Sequence, residues 1–137
     1  MKTITETLNL VPQDKDFLIA DWTAPANVKT LITTRNGGVS QGVYQSLNLG
    51  SHVGDNPDAV RRNRKIVQEQ VGLPVAYLNQ IHSTIVVNAV EALGNTPDAD
   101  ASVDNTGKAA CAAMTADCLS VLFCDKAGTV VAAAHAG

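Results

Sequence analysis

Near the end of the chain two apolar runs, Leu119 to Cys124 and Thr129 to Ala134, flank the turn-forming Asp125-Lys126-Ala127-Gly128. This pattern predicts a β-hairpin with a short loop. If Cys124 faces Thr129 across that loop, Cys118 falls opposite His135, with Cβ atoms about 4.5 to 5.5 Å apart. A register shifted by two would make them a diagonal pair on the same face. A thiol and an imidazole so placed can bind a metal together, or can act as nucleophile and base. Taken alone, a cysteine more often packs as a small apolar group. His135 is different, because it closes a run of alanines and valines where an imidazole must find polar partners.

Upstream, Val28, Leu31 and Ile32 predict a strand over Lys29 to Thr34, preceded by a leader over residues 1–27 that ends in Trp22 and Pro25. The stretch from Arg35 to Asp55 is polar and carries Gly37, Gly38, Gly42, Gly50 and Gly54. Its length of about twenty residues marks it as functional or disordered. Val39, Tyr44, Leu47, Leu49 and Val53 argue for an ordered loop that packs down. Asn56 as N-cap and Pro57 at the first helical position start a helix running to about Val71, closed by Gly72. Val60, Ile66, Val67 and Val71 form its apolar side; Arg61, Arg62, Arg64 and Lys65 form a solvated basic face. Two strand pieces are expected around Gln80-Ile81-His82-Ser83, the second at Ile85 to Val87, with His82 at the joint. Asp98 to Ser102 reads as a polar turn, and Lys108 to Met114 as a strand leading into the hairpin.

The length of 137 residues suits one domain with a real core. An apolar fraction of 45% is globular, and a net charge of -3 gives no basic field to attract nucleic acid. No run of transmembrane or signal-peptide length occurs, since Asp117, Asp125 and Lys126 interrupt the most apolar region. The 3 cysteines, an odd set without a CxxC, disfavour a disulfide framework or a four-cysteine zinc site, and a reducing cytoplasm is expected. One helix cannot cover both faces of such a sheet, so the inventory predicts that the sequence is a piece of a longer protein.

Several blocks then carry a resemblance: Thr33-Thr34-Arg35-Asn36-Gly37-Gly38, Ser46 to Gly50, His52 to Pro57, Asn63-Arg64, Gln80-Ile81-His82, Ala99-Asp100-Ala101, Met114 to Leu119 and Ala134 to Gly137. In order and spacing they resemble the YfiH-like family, formerly called multicopper polyphenol oxidases or laccase-domain proteins and now described as purine nucleoside phosphorylases. The resemblance implies an α+β fold with a mixed sheet sandwiched by helices, incomplete in this chain. It implies a metal site of His82, Cys118 and His135. Two imidazoles and a thiolate suit zinc with a fourth position open, and copper would accept the same donors.

The resemblance further implies phosphorolysis of adenosine, inosine and methylthioadenosine, and deamination of adenosine. The partners would then be purine nucleosides and inorganic phosphate. Arg35 is the expected phosphate-binding cation, with Asn48 and His52 positioning sugar or base. Asp117 would orient a ligand or accept a proton, although its place before Cys118 also fits an Asx turn. Ser83 and Ser120 stand where the family commonly has Gly and Pro, and the family continues beyond the position of Gly137. As a fragment the chain would bind zinc weakly, expose sheet edges and be nearly inactive. A metal-free hydrolase with Cys118 as nucleophile and His135 as base, and an inactive metal-binding fragment, are the competing readings.

Overall fold

The computed structural model describes residues 10–12 and 16–137. It forms an α+β fold with mixed sheets, as the resemblance implied. The chain divides into two compact units, Met1–Thr23 with Lys29–Gln70, and Ala24–Val28 with Val71–Gly137.

In the first unit, β1 (Leu10–Pro12), β2 (Phe17–Ala20) and β3 (Ile32–Thr33) make an antiparallel sheet in that order. Residues expected to be leader therefore supply two strands, and the rest of 1–15 lies outside the described residues. The strand expected over Lys29 to Thr34 shrinks to Ile32–Thr33, which pair with Leu18 and Phe17. The helix α1 (Pro57–Val71) begins and ends where its signals place it. The Asn56 side chain accepts from the Asp58 N–H at 2.8 Å, and Gly72 takes the left-handed φ of 78° that stops the helix. Its apolar stripe buries Val60 and Val67. The basic face is solvated at Arg61, Arg62 and Lys65 but not at Arg64. That guanidinium is half-buried and donates through Nε and a terminal nitrogen to the Leu49 carbonyl at 2.9 and 2.8 Å.

The long loop is ordered, but chiefly by polar contacts. Leu47 is buried, whereas Val39 and Val53 remain 38% and 47% exposed. At the centre sits Asn63 of α1, fully buried. Its Oδ1 accepts from the Val39 N–H, and its Nδ2 donates to Ser40 Oγ and to the Asn48 carbonyl, each at 2.8 Å. Gly38 is required by close approach. A Cβ there would lie 2.2 Å from the Ser46 carbonyl oxygen, which is main chain and cannot swing aside. Gly38→Ala is expected to destabilise this unit by about 1–3 kcal/mol, read from the urea midpoint.

In the second unit, β4 (Val75–Ala76) pairs in parallel with β7 (Ala110–Cys111), while β5 (Val86–Asn88), β6 (Ala101–Asp104), β9 (Val131–Ala136) and β8 (Leu119–Cys124) form a sheet in the order β5-β6-β9-β8. β5 and β6 are parallel; β9 is antiparallel to both β6 and β8. A short second helix, α2 (Ala89–Ala92), is capped by Asn88, whose side chain accepts from the Glu91 N–H. It packs Ala89 and Ala92 against Ala76, Leu78, Ala99 and Ala109. The sequence predicts no helix there, because four residues are too few to show a helical period.

The hairpin forms with the register shifted by two. Cys124 pairs with Val131, and Ser120 rather than Cys118 pairs with His135. The cause lies in the turn. Asp125 Oδ1 accepts from the N–H groups of Thr129 and Val130 at 2.7 and 3.1 Å, which draws both residues into the loop. The two-residue slip preserves the faces, so Cys118 and His135 stay on the same side of the sheet.

Candidate metal centre

The site lies at one end of the four-stranded sheet, where β6 begins, β9 ends and β8 begins. His135 is the next-to-last residue of β9, Cys118 immediately precedes β8, and His82 lies in the segment between β4 and β5. Their donor atoms all fall within 4.8 Å of one another. The imidazole centroids of His82 and His135 are 4.9 Å apart in an edge-to-face arrangement. A tetrahedral site with bonds of about 2.0–2.3 Å needs donors somewhat closer than this, a change that small side-chain rotations supply.

Each ligand is held by identifiable contacts. His135 carries a side chain only 5% exposed, and its Nδ1 lies 2.8 Å from Asp100 Oδ2. Its main-chain N–H donates to the Asp100 carbonyl at 2.7 Å, extending the β6–β9 ladder by one residue. With Nδ1 committed to a carboxylate, Nε2 is the nitrogen left to face a metal, an arrangement typical of metal-binding histidines. His82 is exposed and has a left-handed φ of 60°. The segment bearing Cys118 is fixed to the segment bearing His82 by Gln80. The Gln80 Nε2 donates to the Met114 carbonyl while its Oε1 accepts from the Met114 N–H, both at 2.7 Å. Gly137 leaves room for both rings, since a Cβ there would come within 2.4 Å of His82 Nδ1 and 2.7 Å of His135 Cε1.

Asp100 is the residue that sequence reasoning missed. Asp98 to Ser102, read as a polar turn, instead leads into β6, and Asp100 is only 3% exposed. The Ala-Asp-Ala block was the sole signal available, and it carried no role. Burial alone would raise the Asp100 carboxyl, but hydrogen bonds from His135, Ser83 and Ile81 outweigh it and hold the group well below the usual carboxylate range. A carboxyl depressed in the folded state contributes stability that is complete above its unfolded value, near 3.9, and fades as pH falls below it. Unfolding monitored against pH should therefore show stability falling below about pH 4, and less steeply in Asp100→Asn.

The thiol of Cys118 is shifted the other way, raised by burial and then by the charge and hydrogen bond of Asp117. Its Sγ lies 3.7 Å from Asp117 Oδ1. Without a cation, Cys118 is therefore a protonated thiol at neutral pH and a weak nucleophile. That weighs against the metal-free hydrolase reading, although the Asp100–His135 pair would orient a base. Asp117 is exposed beside the thiol.

Arg35, Asn48 and His52 belong to the first unit and are not part of this cluster. Arg35 is exposed, and its Nε donates to the Gln45 carbonyl at 3.0 Å. The Asn48 amide is engaged within its own loop, donating to Asp55 Oδ2 at 3.1 Å and accepting from the Gly50 N–H at 3.1 Å. His52 is exposed. Among the described residues no helix is long and apolar enough to cross a membrane.

Comparison with known proteins places this geometry in context. The chain is 50% identical over 121 residues to a purine nucleoside phosphorylase of Pseudomonas aeruginosa, covering 88% of this chain and 49% of that protein. It is 48% identical over 123 residues to the purine nucleoside phosphorylase YfiH of Escherichia coli, covering 88% and 51%. Among solved structures, a Neisseria meningitidis protein of the DUF152 family superposes with a TM-score of 0.89 at 86% identity, over 90% of this chain and 51% of that one. YlmD from Geobacillus stearothermophilus superposes with a TM-score of 0.83 at 25% identity, over 94% and 52%. The chain thus spans about half the length of the relatives it matches. Through residues 29–137, the chain belongs to the family described as multi-copper polyphenol oxidoreductase laccase, the family of the YfiH-like proteins.

Proposed function

We propose that this chain carries the metal centre of a zinc-dependent purine nucleoside phosphorylase. The observation that supports it most is the convergence of His82, Cys118 and His135, with His135 Nδ1 already taken by Asp100. Two imidazoles and one thiolate leave a coordination position open, as catalytic zinc sites do. When bound, the metal supplies Lewis acidity toward a substrate atom or water.

The reaction breaks the bond between the purine nitrogen and the ribose anomeric carbon, joins that carbon to an oxygen of hydrogen phosphate, and transfers the phosphate's proton to the released purine. Adenosine, inosine and methylthioadenosine are the proposed nucleosides. Phosphate must be held by a fixed cation, and the exposed Arg35 guanidinium has the chemistry for bidentate contact. Asn48 and His52 are proposed to position sugar or base. Asp117, exposed beside Cys118, is the proposed proton acceptor. Adenosine deamination, which replaces the ring amino group with oxygen from water and releases ammonia, is proposed as a second activity of the same centre.

The test is phosphate-dependent release of hypoxanthine from inosine by the whole natural polypeptide that bears these residues, with metal content read on the same sample. Turnover lost with chelator, restored by zinc and absent in Cys118→Ser and His135→Ala supports the reading. Turnover indifferent to chelator contradicts it. Copper is a second reading, favoured by the family's description and by a donor set that copper also accepts. Copper on the purified protein, with oxygen-dependent oxidation of a phenol and no nucleoside cleavage, would select it.

A further inference from the structure

We infer that Asp100 is the positioning residue for both histidines of the metal centre, holding one by its ring and the other by its main chain. The inference rests on the metal reading above and assigns a residue that acts through the ligands.

The two oxygens of the buried carboxylate are divided between the ligand segments. Oδ2 meets His135 Nδ1 at 2.8 Å and also accepts the His82 N–H at 3.0 Å. Oδ1 accepts the N–H groups of Ile81 and Ser83 at 3.0 and 2.8 Å, and the Ser83 hydroxyl at 2.8 Å. Three consecutive main-chain N–H groups, from Ile81, His82 and Ser83, thus close around one anion. Such a nest stores partial positive charge that only a negative group satisfies fully.

The consequence falls on His82. Its φ of 60° is unfavourable for a residue with a side chain and persists only where the surroundings enforce it. The nest around Asp100 provides that enforcement, and the turn it stabilises aims the imidazole at His135 and Cys118. On the other side, the same carboxylate selects the His135 tautomer with hydrogen on Nδ1, which leaves Nε2 free as a donor. One buried charge therefore sets the direction of one ligand and the tautomer of the other. Asp100 thus acts through the ligand-bearing segments at Ile81 to Ser83 and at His135.

Asp100→Asn keeps the shape but removes the charge and one acceptor oxygen. Zinc affinity measured by competition with a chromophoric chelator is expected to fall 10–100-fold, the usual effect of losing an outer partner of a ligand. Nitrogen NMR of the metal-free protein is expected to show His135 leaving the Nδ1–H tautomer, and the amides of Ile81, His82 and Ser83 are expected to exchange faster. Asp104→Asn is the control for general destabilisation. Asp104 is equally buried on β6 but serves Thr106 and Gly107, so zinc affinity is expected to be unchanged. Wild-type zinc affinity in Asp100→Asn would overturn the inference, as would equal weakening in Asp104→Asn. If Asp100→Asn fails to fold, Ser83→Ala removes one donor to the carboxylate; a several-fold weakening supports the role and no change overturns it. If the natural protein binds no zinc, the metal reading fails on its own. The His135 tautomer and the 81–83 amides then decide whether Asp100 holds both segments.

Discussion

Replacing His135 by alanine is expected to weaken zinc binding by well more than the 10–100-fold that follows loss of an outer-shell partner. The imidazole is one of three converging donors, and its side chain is 5% exposed, so no solvent-borne group replaces it without opening the end of the sheet. The substitution also strands Asp100. Its Oδ2 loses the Nδ1 partner and keeps only the His82 N–H, so a buried carboxylate becomes under-satisfied, at a cost of about 1–3 kcal/mol. Chelator competition should therefore show the loss of affinity, and urea unfolding of the metal-free protein should show a lowered midpoint. Cys118→Ser separates the two effects, because the thiol is not part of the Asp100 network: affinity should fall while metal-free stability stays close to wild type. Wild-type zinc affinity in either variant would remove that residue from the ligand set.

The second large effect is expected from Asn63→Ala. The side chain is fully buried, and its amide satisfies the Val39 N–H, the Ser40 hydroxyl and the Asn48 carbonyl at once. Truncation leaves the part-buried Val39 N–H and Asn48 carbonyl without this partner and empties a buried site, so a total loss of about 3 kcal/mol is expected. Asn63→Leu restores volume without restoring partners and should be no better. A urea midpoint within error of wild type in both would show that the loop is held by Leu47 and Arg64 instead. Exposure of the loop to limited proteolysis should rise in parallel with the loss of stability.

What could be read from sequence follows the range of the interactions. The ends of α1 were legible because capping is local: Asn56, Pro57 and Gly72 act within a turn of themselves. The hairpin was legible in its strands and faces, but its register was not, since the side chain of Asp125 decides how many residues the loop absorbs. The error was harmless to the site because a slip of two keeps every side chain on its own face. Cys118 and His135 could therefore be paired from pattern alone, whereas His82 entered only through the family resemblance. Asp100 was misread because its partners lie in two other segments, at Ile81 to Ser83 and at His135, and no local period announces them. Arg64 and Asn63 failed in the same way: each looks like an ordinary polar helix residue until the returning loop supplies its contacts.

The most direct measurement of the central claim is zinc K-edge X-ray absorption on the purified protein, with metal stoichiometry from the same sample. The His82, Cys118 and His135 site predicts one zinc per chain, with a single sulfur scatterer near 2.3 Å and nitrogen or oxygen scatterers near 2.0–2.1 Å. The sulfur shell should disappear in Cys118→Ser. Zinc with no sulfur neighbour, or no stoichiometric metal after loading, would contradict the account.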